Sequence, residues 1–164
     1  MNIYLIGMPG CGKSTLGKRL ARETNYKFID LDSYIEKKEK KKISDIFKDN
    51  GEDYFRELES KALLSFKNKD NVIISTGGGI IKNKANKDLM NGLCVYLSVP
   101  VGILEERTSK SKTVRPLLKT KTIVELYNER KDLYDYFKDI EVLNVNLDDA
   151  ISQILKEINR WKVY

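Results

Sequence analysis

Three observations predict an α/β fold, a five-stranded parallel sheet flanked by helices on both faces. Short apolar runs alternate with segments of helical period along all 164 residues, and no internal repeat interrupts them. The first apolar run, Ile3-Tyr4-Leu5-Ile6, leads directly into Gly7-Met8-Pro9-Gly10-Cys11-Gly12-Lys13-Ser14-Thr15, which matches the phosphate-binding G-x-x-x-x-G-K-[S/T] loop. Strands joined through helices run parallel, because the chain is carried back to its starting end before each new strand.

In the loop, the glycines allow backbone turns in which several N–H groups converge on one anion, while the helix beginning near Ser14 directs its positive end the same way. Gly10, Cys11, Gly12, Lys13, Ser14 and Thr15 are therefore the expected ATP-binding residues. Lys13 adds a mobile charge for the β and γ phosphates, and the Ser14 hydroxyl can ligate Mg2+. Leu16, Leu20 and Ala21 form the apolar face of the following helix, which ends near Asn25. Lys27-Phe28-Ile29 reads as the second strand and runs into Asp30-Leu31-Asp32. At the carboxyl end of a parallel strand, these two acids would sit beside the phosphates. Asp30 or Asp32 as a helix N-cap before Ser33-Tyr34-Ile35-Glu36 is the competing reading.

Ser44-Asp45-Ile46-Phe47 opens a short helix that Gly51 can terminate, and Phe55, Leu58, Ala62, Leu63 and Phe66 form the stripe of a longer one. Arg56 lies just off that stripe with Glu52 and Glu59 a turn away, as surface ion pairs or as a guanidinium held ready for a planar anion. Val72 to Thr76 is the third strand, closed by Gly77-Gly78-Gly79. A glycine triplet forfeits packing, so it marks either close approach of a ligand or a plain turn. P-loop proteins usually carry an Asp at the end of this strand, but Ser75 stands here, which makes Asp30 the nearest candidate for metal support.

A helix is expected over Lys84 to Asn91, the fourth strand over Leu93 to Leu97, and a helix from Pro100 to about Arg107. Thr108 to Lys112 reads as a polar lid loop, framed by Arg107 and Arg115-Pro116-Leu117-Leu118; with its flank the lid spans about 108–120. Ile123, Leu126, Tyr127, Leu133 and Tyr134 face inward on the next helix with Arg130 among them, which demands either a buried carboxylate or an anionic substrate. Ile140 to Val145 is the fifth strand, and Ala150 to Trp161 the most regular amphipathic helix, with Asp148 and Asp149 at its start.

Composition narrows the chemistry. The length suits one domain over 1–164, and no run reaches the ~18 apolar residues of a membrane span. The chain enters a strand where a cleavable signal would lie, so we expect a cytoplasmic protein with no membrane partner. Cys11 and Cys94 have neither metal-ligand nor disulfide-framework spacing and read as free thiols. Histidine is absent, which excludes imidazole chemistry and leaves acid-base work to a carboxylate. The net charge of +6 suits an anionic partner, a nucleotide with a small acid or else a nucleic acid. Lys37-Lys38-Glu39-Lys40-Lys41-Lys42 lacks interleaved aromatics and reads as a solvated helix end rather than a nucleic-acid site.

Taken together, the P-loop, Asp30-Leu31-Asp32-Ser33-Tyr34-Ile35-Glu36, Gly51-Glu52 with Phe55-Arg56 and Glu59, the glycine triplet, Arg115-Pro116-Leu117-Leu118 and Arg130 with Tyr134 resemble the shikimate kinases over nearly the whole chain. These are P-loop NTPases of nucleoside monophosphate kinase-like fold. The resemblance implies transfer of the γ-phosphoryl group of MgATP to the 3-hydroxyl of shikimate; we expect a monomer with no nucleic-acid partner. It implies that Asp30 and Ser14 support Mg2+ and that Asp32 binds ring hydroxyls and acts as the base. Arg56 and Arg130 would clamp the substrate carboxylate, with Gly77, Gly78 and Gly79 against the ring and Phe47 and Phe55 as walls in a subregion of about 31–60. Lys13 and Arg115 would neutralise the transferring phosphoryl group, and Arg107 would stack on adenine. A kinase of another small acceptor, gluconate or a nucleoside monophosphate, is the alternative. The Arg107 to Arg115 spacing, Asn144-Val145-Asn146 and Phe137-Lys138 depart from the family pattern.

Overall fold

The computed structural model describes residues 1–111, 115, 118 and 121–163. Five parallel strands, β1 (Asn2–Ile6), β2 (Lys27–Asp30), β3 (Val72–Ser75), β4 (Gly92–Ser98) and β5 (Ile140–Leu143), lie in the order β2-β3-β1-β4-β5. The P-loop strand is central, flanked by β3 and β4, and all five of its residues are buried, as a strand covered on both faces requires. Among the described residues eight α-helices surround the sheet: α1 (Lys13–Thr24), α2 (Leu31–Glu39), α3 (Ile43–Asn50), α4 (Glu52–Phe66), α5 (Asn86–Leu89), α6 (Val101–Lys110) and α7 (Ile123–Phe137) between strands, and α8 (Leu147–Lys162) after the last.

Strand register decides which residues can meet the P-loop helix. Leu5 pairs with Ser75 and Ser75 with Asp30, so the three share one face of the sheet. That is the face α1 covers: a Cβ on Gly17 of α1 would lie 2.6 Å from the Phe28 ring and 3.0 Å from Leu5, so a glycine is needed for the helix to come this close. On the opposite face Ile6 pairs with Tyr96, whose ring stacks on Tyr134 of α7 at 4.8 Å and 8°.

The expected elements are present, with three boundary corrections. The helix anticipated over 84–91 is a 3-10 turn at Ile80–Lys82 followed by the single turn of α5. The Asn83 side chain accepts from the Ala85 N–H, and the Asn86 amide is drawn to the Ile80 carbonyl and the Ser60 hydroxyl, so side chains displace the helical ladder. The fifth strand stops at Leu143 rather than Val145, because Asn146 is already the N-cap of α8, accepting from Asp149 N–H. Thr108 to Lys110, expected in a loop, continue α6, and the Thr108 and Ser109 hydroxyls bond back to the Leu104 and Glu106 carbonyls. Of the anticipated lid over 108–120, residues 112–114, 116, 117, 119 and 120 lie outside the described residues. Cys11 and Cys94 are both buried free thiols, as their spacing predicts. Among the described residues no helix is long and apolar enough to cross a membrane.

Candidate active site

At the carboxyl end of the sheet a cavity of about 1090 Å³ opens over β1, β2 and β3. One side of it is the P-loop. Gly10 and Gly12 take φ of 81° and 93°, the left-handed region that side chains resist, and α1 starts immediately after them. Lys13 Nζ donates to the Gly7 carbonyl at 2.8 Å and the Met8 carbonyl at 3.2 Å, so its chain folds back over the loop it will serve.

Asp30 is the N-cap of α2 and also faces the P-loop. One carboxylate oxygen caps α2 through the Ser33 N–H at 3.0 Å, and the other accepts from the Ser14 hydroxyl at 2.9 Å. Ser75 Oγ lies 3.5 Å from Ser14 Oγ, so the residue standing where an Asp is usual still faces the same point. The cluster is all oxygen with one carboxylate, which suits a hard cation such as Mg2+ that keeps several waters and takes further ligands from phosphates. Among the described residues no group of three acidic or thiol side chains could hold a metal ion.

The other side of the cavity is acidic and basic together. Asp32, in the first turn of α2, has its Oδ1 sealed from solvent without a partner. Burial pushes this carboxyl up from 3.8 to about 6, with Asp30 adding to the rise and Lys13 and Arg56 opposing it. Glu59 is fully buried, where the sequence allowed a surface ion pair, and its Oε1 is likewise unpartnered. Burial raises it from 4.5 to about 7 in spite of Arg56, which donates to Glu59 Oε2 at 2.7 Å. Burial works against the charge on Arg56, but Glu59 and Glu52 more than restore it, so the guanidinium is held charged and oriented. Arg130 is 2% exposed with its Nε unpartnered, a buried fork lacking a carboxylate to satisfy that nitrogen.

The glycine triplet is where these groups meet. A Cβ on Gly77 would lie 2.8 Å from Glu59 Oε1 and 3.0 Å from Asp32 Oδ1; one on Gly78 would lie 2.9 Å from Arg130 Nη1; one on Gly79 would fall inside the Arg56 guanidinium. The sequence attributes the bare backbone to an approaching ligand or a turn; its first cause is the protein's own side chains, which close onto it. Tyr134 fixes the shelf from behind, donating to the Gly78 carbonyl at 2.7 Å. Phe47 and Phe55, their ring centroids 4.9 Å apart, line the same cavity.

Arg115 also lines the cavity, and partial burial lowers its pKa. Arg107 reaches the P-loop rather than open space, donating to the Gly10 carbonyl at 3.3 Å and the Asn144 carbonyl at 3.2 Å. Cys11, although in the loop, is fully buried with its Sγ turned to Lys13 Nζ at 3.5 Å. Two features escape sequence reasoning, the burial of Glu59 and the reach of Asn144 to the P-loop. Glu59 at i+3 from Arg56 has the same spacing whether buried or exposed; Asn144 stands alone after a short strand, with no periodic or motif signal.

A nucleotide cradle on the central strand of a 2-3-1-4-5 parallel sheet, opening onto a charged second pocket, defines a small P-loop kinase. The family model for shikimate kinase matches residues 9–159, and the chain belongs to that family. It is 43% identical over 162 residues to a shikimate kinase of Clostridium botulinum (strain Alaska E43 / Type E3), covering 96% of this chain and 94% of that one. Among solved structures it is similar to shikimate kinase from Acinetobacter baumannii in complex with shikimate, with a TM-score of 0.91, 32% identity, and 99% and 95% of the two chains covered. A deoxyadenosine kinase from M. mycoides, 21% identical with a TM-score of 0.63 over 97% of this chain and 100% of its own, shares the fold.

Proposed function

We propose that this chain transfers the γ-phosphoryl group of ATP to the 3-hydroxyl of shikimate, giving shikimate 3-phosphate and ADP. The observation that carries this reading is the convergence of Asp32, Glu59, Arg56 and Arg130 on three consecutive glycines in the cavity that holds the P-loop. A small hydroxylated acid matches that inventory: two guanidinium groups for its carboxylate, a buried carboxyl for its hydroxyls, and apolar walls from Phe47 and Phe55 for its ring.

In the reaction the acceptor oxygen bonds to the γ-phosphorus as the bond from that phosphorus to the β,γ-bridging oxygen breaks, and the leaving ADP keeps the electron pair. The transition state is loose, so alignment and charge neutralisation do most of the work. Arg56 and Arg130 fix the acceptor's carboxylate and thereby aim its hydroxyl. Asp32 accepts the hydroxyl proton late in the transfer, a contribution of about 10^2 to 10^4 in rate. Lys13 and Arg115 face the equatorial oxygens. Ser14 and Asp30 would hold Mg2+, which would supply positive charge to neutralise the terminal phosphates.

The whole chain acts as one P-loop kinase domain with an acceptor subregion of about 31–60 and a closing segment of about 108–120, a monomer in the cytoplasm with no nucleic-acid or membrane partner. A coupled ADP-release assay over shikimate, gluconate and nucleoside monophosphates tests the reading. Turnover with shikimate alone is expected, because a site that hydrogen-bonds its acceptor rejects analogues by large factors. Turnover with gluconate or a nucleotide and none with shikimate would overturn it.

A further inference from the structure

The nucleotide side of the cavity contains a side chain for which the P-loop motif has no role. Asn144, immediately after β5, is 5% exposed, and its Nδ2 donates to the Cys11 carbonyl at 2.8 Å across 133 residues of sequence. Its own backbone is held in turn: the Asn144 N–H donates to the Ser98 carbonyl at 2.9 Å, and its carbonyl accepts from Arg107. A Cβ on Gly12 would lie 2.6 Å from Nδ2, so the loop residue next to the contact must be glycine for the amide to approach.

The bond has a consequence set by peptide geometry. The Cys11 carbonyl and the Gly12 N–H belong to one planar trans unit and point in opposite directions. Fixing the carbonyl on Asn144 therefore fixes the Gly12 N–H facing away from Asn144, as one of the loop donors from which an anion cradle is built. Arg107 does the same for the preceding unit by holding the Gly10 carbonyl; the Cys11 N–H of that unit closes the turn onto the Met8 carbonyl at 3.1 Å. Two successive peptides of the loop are thus oriented from outside it, by α6 and by the chain leaving β5.

We propose that Asn144 is a positioning residue for the phosphates of the nucleotide: its side-chain amide sets the direction of the Gly12 N–H before ATP arrives. A loop without this brace can rotate the Cys11–Gly12 peptide and must be reoriented as the phosphates bind, so the loss falls on nucleotide affinity and leaves the acceptor pocket intact.

The proposal rests on the nucleotide-binding part of the reading above, and calorimetric titration of the intact protein with ADP and separately with shikimate separates the two. Asn144→Ala removes the donor; Asn144→Asp keeps the shape but offers only an acceptor to the Cys11 carbonyl, and covers the case in which the alanine variant does not fold. The expected result is an ADP Kd raised at least tenfold in either folded variant, with shikimate affinity within twofold of the parent and a cooperative thermal transition. ADP affinity within twofold of the parent in a folded variant would overturn the brace, as would an equal loss of ADP and shikimate binding. A parent protein that binds no ADP would overturn the kinase reading itself, and the brace with it.

Discussion

Asp32 carries the sharpest expectation of the site. Its carboxyl is raised to about 6 by burial, so below that pH it holds a proton and cannot accept another from the acceptor hydroxyl. Activity should rise with pH through about 6 and level off above it. Asn at this position should lower kcat at least tenfold with the fold retained, and should flatten the acid limb of the pH–rate profile. An unchanged profile in Asp32→Asn would assign the proton to another group. In the proposed site Arg56 and Arg130 act on binding instead: alanine at either should remove a charged contact of about 1.5 to 3 kcal/mol, raising the shikimate KM by roughly 10- to 100-fold with the ATP KM little changed. If neither substitution alters shikimate titrations, the carboxylate is held elsewhere. Both arginines are legible in the chain, because a cation on or beside an apolar helical stripe calls for an anion. The burial of Glu59 is not, since an ion pair at i+3 has one spacing in either environment and only tertiary packing decides between them.

Among the elements, β3 and the turn after it show how far pattern reading reaches. The apolar run announces the strand and the three glycines announce a close approach, but not what approaches. Because a Cβ on Gly79 would fall inside the Arg56 guanidinium, alanine there must push the arginine off its ion pair with Glu59. Gly79→Ala should therefore mimic Arg56→Ala, weakening shikimate binding about tenfold or more while ADP binding stays within twofold, as titration of each ligand would reveal. Equal affinities for shikimate in parent and variant would show that the shelf tolerates a side chain and that the triplet serves the backbone alone. The elements hardest to read are the ones whose local side chains override the ladder. Asn83 and Asn86 break the expected 84–91 helix into two turns, and the hydroxyls of Thr108 and Ser109, which suggest a loop, bond back into α6 instead. Asn144 belongs with them: it acquires a role only when the fold brings the end of β5 beside the loop after β1.

For the molecule as a whole, the acceptor pocket stores a cost to stability that depends on pH. Asp32 and Glu59 have folded pKa values raised to about 6 and about 7, above their ordinary values of 3.8 and 4.5. Each therefore contributes stability that is fully present below its unfolded pKa and is lost as pH rises through the folded one. The window runs from about pH 4 to about pH 7. The exposed Glu106 and Glu129 and the half-exposed Glu52, whose pKa values are lowered by lysine or arginine partners, act below that window, since their stability is lost as pH falls. Between pH 6 and 8 the two site carboxyls dominate the trend, and the ligand-free protein should melt at a lower temperature at pH 8 than at pH 6. Asp32→Asn removes the charge that burial disfavours, leaving a neutral group in the same space. It should raise the melting temperature by roughly 6 to 11 °C at pH 8, because the rise from 3.8 to about 6 spans about two units, each worth about 1.4 kcal/mol, and each kcal/mol moves a domain of this size by about 2 to 4 °C. Below the unfolded pKa of 3.8, where the carboxyl carries its proton in both the native and the unfolded protein, the variant should give no gain. A gain of equal size at both pH values would trace to packing rather than charge. A parent whose melting temperature rises from pH 6 to pH 8 would overturn the raised pKa values of the two site carboxyls. The arrangement that costs stability is the one the proposed reaction uses, since a base that must lose and regain a proton near neutrality has to be held where its charge is disfavoured.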